Sequence, residues 1–245
     1  MGRQKGVAGL GAKPAPAESA RAATPVGDTA GRPCEHVHRG GAPAYARVIR
    51  MHYILGSSRN SYGLAEYRHE LSADYRSFLQ GERIGPLAQP LVYRVSDSAR
   101  RTLAKCHIVQ STGPHLVSDA LRGALERAVP DGLDFFEVES EGGGQVLAGF
   151  QAINIPRRAP CFDLDRSEYK LTNFDPAEPT YRFYFQVLSE EKCADFEMAI
   201  PTEMPVLIVV GDAVKRECVA AGLRGLVFKT CVDLTPQGRT VLEEL

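Results

Sequence analysis

The stretch CFDLDRSEYK, residues 161–170, carries carboxylates at Asp163, Asp165 and Glu168. Carboxylates at this spacing can hold a divalent metal in an enzyme, cap a turn, or present charge to a protein partner. A calcium-binding EF-hand loop is excluded, because the sixth residue from Asp163 is Glu168 instead of glycine and the twelfth is Phe174 instead of glutamate. Three interpretations therefore remain open.

In the first interpretation, Asp163, Asp165 and Glu168 surround a divalent metal in a nucleotidyl or glycosyl transferase. The sequence offers no phosphate-binding loop to accompany such a site. In the second, the stretch is an acidic strand end in which Arg166 pairs with a nearby carboxylate. In the third, Asp163, Asp165, Arg166 and Glu168 bind a partner protein.

Two further groups of residues could carry chemistry. Cys34, His36 and His38 alternate in CEHVH and would share one face of a strand, as zinc ligands can, but no fourth ligand accompanies them. Cys106 and His107 combine a nucleophile with a base, yet adjacent residues on a strand point to opposite faces. We therefore predict no zinc site in CEHVH and no catalytic dyad between these two neighbours.

The common catalytic and cofactor-binding motifs are missing from the sequence. It contains no G-x-G-x-x-G after a strand, no P-loop, no G-x-S-x-G and no H-E-x-x-H. The tract Gly142–Gly144 lies between two predicted strands, which favours a hairpin turn over an anion-binding helix N-terminus. We therefore predict none of these catalytic sites and no cofactor, and the carboxylates of residues 161–170 remain open as metal ligands.

Residues 1–50 differ in composition from the rest of the chain. Alanine, glycine and proline supply 24 of these 50 positions, and large apolar residues are almost absent. Such a segment cannot bury enough surface to offset its ordering entropy, so we predict disorder. The change in composition at Met51 indicates a native start there, with a genuine flexible tail as the alternative, and a single domain over residues 51–245.

Charge and hydropathy exclude several classes of protein. Residues 51–245 hold 21 basic and 27 acidic residues, which argues against a nucleic-acid binder. The longest apolar run, residues 205–210, is too short to span a membrane, and no secretory signal is visible. The six cysteines are scattered without a C-x-x-C pair, so we predict free thiols in a reducing compartment, the cytoplasm.

The apolar patterns predict the elements that position these residues. Amphipathic helices are predicted over 117–129, with Ser118 as N-cap, and over 212–222, with Asp212 as N-cap and Gly222 in the left-handed C-terminal position. A weakly helical pattern covers 64–80. Strands are predicted over residues 51–56, 91–95, 133–139, 145–155, 180–188, 194–200, 205–210 and 224–234. The chain has many predicted strands and few helices, and the two do not alternate regularly. This pattern predicts an α+β fold with a largely antiparallel sheet.

Two segments of the sequence resemble each other. Residues 116–139 and 209–232 each show a short apolar lead, a capped helix, a Gly-Leu break and a strand with aromatic residues. We interpret each as a helix that turns back to lay a strand beside the core. A chance likeness of two amphipathic units is the alternative.

Three blocks of sequence, in order, resemble an immunity-protein family of bacterial polymorphic toxin systems. The blocks are PHLVSDALRGALERAVPDGLDFFEVE, then PCFDLDRSEYKL after the strand VLAGFQAINI, then PVLIVVGDAVKRECVAAGLRGLVFKTCV. This family is the myxobacterial-type immunity domain, formerly catalogued as a domain of unknown function, and the resemblance covers about residues 107–232. Arg224 stands where the family often has threonine, and Glu137 where it often has proline.

The resemblance implies a protein without enzymatic activity that binds and neutralises a cognate toxin in the cytoplasm of the producing cell. It implies no catalytic residues, and the toxin is expected from a neighbouring gene. Two hypotheses from the residues stay open beside it: the metal-dependent transferase, and a regulatory binding module without a toxin partner.

Overall fold

The computed structural model describes residues 51–59, 61–172, 180–233 and 241–245. Its strands are β1 (His52–Ser57), β2 (Glu66–Tyr67), β3 (Val92–Arg94), β4 (Ile108–Val109), β5 (Leu116–Ser118), β6 (Asp134–Glu137), β7 (Glu139–Ser140), β8 (Phe150–Asn154), β9 (Arg158–Ala159), β10 (Glu168–Thr172), β11 (Thr180–Val187), β12 (Met198–Pro201), β13 (Val209–Gly211), β14 (Leu226–Asp233) and β15 (Val241–Glu244). Its α-helices are α1 (Asp97–Leu103), α2 (Asp119–Ala128), α3 (Glu190–Cys193) and α4 (Asp212–Ala220), and Tyr75–Leu79 forms a 3₁₀ helix. The predicted α+β class is confirmed. The disorder predicted for residues 1–50 and the cysteine and histidines of CEHVH lie outside the described residues.

The largest sheet runs in the order β10-β11-β14-β1-β13-β12-β9, and β15 also pairs with β14. A second sheet has the order β4-β5-β8-β6, and a third the order β2-β3-β7. Among the described strands, every pair is antiparallel except β9 with β12 and β3 with β7. The predicted antiparallel character is therefore confirmed, and β10 lies at an edge of the largest sheet.

The two similar segments of sequence form the same arrangement twice. In the first, β5, α2 and β6 follow one another, and both strands pair antiparallel with β8 between them. In the second, β13, α4 and β14 follow one another, and both strands pair antiparallel with β1. Each unit also has a preceding strand beside its first strand, β4 in one and β12 in the other. The repeated helix-and-strand unit is therefore present in the fold.

Helix α2 forms where its apolar residues fall on one face. Leu121, Ala124 and Leu125 are completely buried, and they pack in one cluster with Val214 of α4 and Tyr53 of β1. Burying three such side chains removes apolar surface from water, which stabilises the fold by about 1–3 kcal/mol for each leucine. The predicted N-cap is confirmed, because the Ser118 hydroxyl accepts a hydrogen bond from the Leu121 amide at 3.2 Å.

The predicted N-cap of α4 is wrong by one residue. Gly211 is the cap and Asp212 is the first helical residue, whose carboxylate accepts instead from the Tyr53 hydroxyl at 3.0 Å. The Glu197 carboxylate accepts from the Ala213 amide at 3.2 Å, so a distant residue satisfies the first turn. The left-handed conformation predicted for Gly222 is confirmed by its φ of 65°.

The weakly helical, very polar pattern over 64–80 does not form an α-helix. The segment contains β2 and the short 3₁₀ helix, and Tyr67 packs edge-on against Tyr93 with ring centroids 5.1 Å apart. Tertiary packing of this tyrosine overrides a polar helical pattern. The strand predicted over 145–155 begins only at Phe150, and Gly142–Gly144 belongs to a longer connection that also contains β7.

The ring of His115 joins the connection between β4 and β5 to the connection between β12 and β13. Its Nε2 donates to the carbonyl of Val206 at 2.9 Å, and its Nδ1 accepts from the Ser111 amide at 3.4 Å. Only the neutral ring can make both bonds. Burial lowers the pKa of His115, although the bond to the Val206 carbonyl acts in the opposite direction.

Acidification should therefore destabilise the protein through His115. Because the folded-state pKa is lower than that of the unfolded chain, the unfolded chain binds the extra proton first as pH falls below about 6.5. Stability is fully present above that pH and is lost below it. Urea unfolding at pH 7.5 and 5.5 should show a smaller fall in stability for His115→Gln than for the wild type. An equal fall in both proteins would assign the effect to other groups.

Candidate functional site

Asp163 fixes the turn that contains the acidic stretch. Its Oδ1 accepts hydrogen bonds from the amides of Asp165 and Arg166, both at 3.2 Å, and its own carbonyl accepts from the Ser167 amide at 3.0 Å. An aspartate that bonds to the backbone two and three residues ahead is a common turn device. The turn-capping interpretation of Asp163 is therefore confirmed by its geometry.

The remaining charges of the stretch face solvent. Asp165, Arg166 and Glu168 are exposed, and the Arg166 guanidinium lies 3.9 Å from the Asp163 Oδ2. A surface pair at this distance contributes little to stability, about 0–1 kcal/mol. The part of the chain that the structure describes contains no group of three or more His, Cys, Asp or Glu side chains placed to hold a metal.

A buried glutamate anchors the start of the stretch. The Glu203 carboxylate, only 8% exposed, accepts hydrogen bonds from the amides of Cys161 and Phe162 at 3.2 Å. Lys192 donates to the Phe162 carbonyl at 2.8 Å. Sequence reasoning missed Glu203, because a partner some forty residues away leaves no local signal.

The thiols beneath this anchor are inert. Cys161 and Cys193 are completely buried, and the Cys193 thiol lies 3.6 Å from the Cys161 carbonyl. A hydrogen bond with the Cys193 thiol, together with burial, raises the pKa of Cys161 far above the ordinary value of a thiol. Protonated, buried thiols are poor nucleophiles. Cys106, Cys161, Cys193 and Cys218 are all free, as predicted for these four.

The acidic turn leads directly into an edge hairpin of the largest sheet. On one face of β10 and β11, a row of aromatic rings runs from buried Phe183 to half-buried Tyr181, whose rings stack at 5.9 Å. Leu171, opposite Tyr181 in the pairing register, is 48% exposed. On the other face, Tyr184 is 38% exposed and lies 5.9 Å from the Arg182 guanidinium. Charged turn residues and exposed apolar residues are thus neighbours along the chain.

His107 supports a helix rather than a reaction. Its Nδ1 lies 2.9 Å from the Ser118 hydroxyl, the N-cap of α2, which also accepts from the Leu121 amide. The direction of the bond between the ring and the hydroxyl depends on the ring tautomer, and burial lowers the pKa of His107. Cys106 is buried and bonds to the Thr102 carbonyl at 3.3 Å. Cys106 and His107 thus bond to different partners, and both lie just before β4, whereas the sequence predicted them on a strand.

Comparison with protein-family models gives a match over residues 49–233, to the model described as an immunity protein family, Imm11. The match covers most of the chain. The chain belongs to the Imm11 immunity protein family. The resemblance seen in the three blocks of sequence is thereby confirmed. No curated protein matches the sequence closely enough to count as a relative.

The region matched by the Imm11 model contains both repeated units, the acidic turn and the edge hairpin. None of the helices in the described ranges is long and apolar enough to cross a membrane.

Substitution of Asp163 separates the turn-capping role from a metal-binding role in this Imm11 protein. Asp163→Asn keeps an oxygen that can accept from both amides, so its stability should stay close to that of the wild type. Asp163→Ala removes both bonds and should cost about 1 kcal/mol in urea unfolding. Elemental analysis should find no stoichiometric divalent ion in the wild type. A bound ion that is lost in Asp163→Asn would instead favour the transferase hypothesis.

Proposed function

We propose that this protein binds and neutralises a cognate bacterial toxin and thereby protects the cell that makes both. The observation that supports this most is the Imm11 family match over residues 49–233. The protein acts by binding, not by catalysis, and it acts in the cytoplasm without a cofactor. The toxin is encoded by a neighbouring gene.

The acidic turn and the edge hairpin are the proposed contact surface. Asp163, Asp165, Arg166 and Glu168 contact the toxin, and Asp163 also holds the turn in shape. Leu171 supplies an exposed apolar residue beside them. Interfaces commonly combine a few desolvated anchors with a charged rim, and this surface offers both.

Co-expression tests the proposed function directly. Cells that express the toxin domain encoded next to this gene should survive when the wild-type protein is co-expressed and die without it. Purified protein should form a complex with that toxin domain in size-exclusion chromatography. Survival without a stable complex would point to a regulatory role, and death despite co-expression would refute the proposed function.

Salt should slow the association of the two proteins more than it changes their dissociation. Residues 51–245 carry 27 acidic and 21 basic residues, so a basic toxin is the complementary partner. Opposite charges steer encounters, and the association rate should fall by about tenfold or more from low to high salt. Surface plasmon resonance over a salt series measures both rates. An association rate indifferent to salt would remove electrostatic steering from the proposal.

A further inference from the structure

An open groove lies next to the third sheet, and no residue of the acidic turn lines it. It has a volume of about 670 Å³. Its floor is apolar and is formed by Val92, Val138, Leu147 and Phe150, and Leu71 stands at its mouth with 47% of its surface exposed. An exposed leucine beside an apolar floor provides the kind of surface that a partner side chain covers.

Carboxylates line one wall of the groove. Glu137 ends β6, Glu139 begins β7 and Glu141 follows β7, and all three belong to the lining of the groove. No lysine or arginine lines the groove. Gln151 donates to Glu137 at 2.5 Å and Arg68 pairs with Glu141, whereas the Glu139 carboxylate has no side-chain partner among the described residues.

Part of the rim consists of backbone without side chains. Gly142, Gly143 and Gly144 all have positive φ, between 78° and 102°, and no atom lies within 4 Å of the position that a Cβ would occupy on any of them. A partner chain can therefore approach this rim closely, since no side chain stands in front of the peptide groups.

We propose that this groove receives an arginine- or lysine-bearing loop of the toxin. This inference rests on the proposed function and adds a second, separate contact to it. The aliphatic part of the basic side chain covers Leu71 and the apolar floor, and its charged end lies among the carboxylates, with Glu139 as its main partner. An acidic wall without a lining cation selects a cationic side chain over an acidic or purely apolar one.

The test uses the full-length protein and the toxin domain encoded by the neighbouring gene. Glu139→Lys should weaken the equilibrium affinity by about tenfold or more, because it places a like charge opposite the toxin cation. Leu71→Ala should speed dissociation, and its effect should be insensitive to salt. Glu82→Lys is the matched control: it makes the same charge change at an exposed carboxylate outside the groove and should leave dissociation unchanged.

The outcomes separate this inference from the proposed function. If the wild type binds the toxin and Glu139→Lys binds equally well, the groove is not the contact and the immunity function stands. If Glu139→Lys and Glu82→Lys weaken binding equally, only the overall charge matters and the groove is again refuted. If the wild type does not bind, the proposed function itself fails. Glu139 is exposed, so circular dichroism should show unchanged folding in its variant.

Discussion

Replacing Glu203 with alanine should lower the free energy of unfolding by about 3–5 kcal/mol. The carboxylate is 8% exposed and accepts from the amides of Cys161 and Phe162. Removing it leaves two buried N–H groups without an acceptor, and each such group costs about 1–3 kcal/mol. Guanidinium unfolding, monitored by circular dichroism, measures the loss.

Two further variants test whether the loss of stability in Glu203→Ala comes from the missing acceptor. Glu203→Gln keeps one acceptor oxygen, so its free energy of unfolding should lie between those of the wild type and Glu203→Ala. Glu168→Ala removes a carboxylate that is exposed and should change stability by less than about 0.5 kcal/mol. A loss below about 1 kcal/mol for Glu203→Ala would show that water can replace the carboxylate.

Gly81→Ala should be even more damaging, with an expected loss of about 4 kcal/mol or more. Gly81 has a φ of 73°, and a Cβ there would lie 2.6 Å from the backbone nitrogen of Arg158 and 2.5 Å from its Cβ. Neither atom belongs to a flexible side-chain end, so the segment after the 3₁₀ helix would have to separate from β9.

The chain offers a matched control for this substitution. Gly63 has a nearly equal φ of 77°, but no atom lies within 4 Å of the position of its Cβ. Gly63→Ala should therefore show only the backbone strain, about 1–2 kcal/mol. The difference between the two variants in thermal and urea unfolding isolates the cost of the close approach. Equal losses of stability in the two variants would mean that Arg158 moves away from the added Cβ at little cost.

The sequence predicted those elements whose partners are local. The α2 helix has its cap, its apolar face and its break within one stretch, so its prediction was confirmed. The N-cap of α4 was misplaced because Glu197, outside the helix, accepts from its first turn. For the same reason the weak helical pattern over 64–80 does not become an α-helix, since the packing of Tyr67 on Tyr93 decides the conformation of this segment.

In the candidate site, too, features with local partners could be predicted and features with distant partners could not. The turn at Asp163 could be anticipated, because its hydrogen bonds run two and three residues along the chain. Glu203 could not be identified from sequence, since its contact with Cys161 depends on the path of the whole sheet. Nor does a spacing of carboxylates reveal which of them, such as Glu139, lies at the wall of a groove.

The two repeated units differ in the position of their central strand along the chain. This position affects when each unit can fold during synthesis on the ribosome. The first unit takes β8 from shortly after β6, with only the short β7 between them, so its strands emerge close together and can pair early. The second unit takes β1 from the start of the described chain. This strand cannot pair until β13 and β14 have been made. The second unit therefore has the higher contact order and should complete last. A circular permutant that moves β1 to follow β14 would give it the connectivity of the first unit and should fold faster.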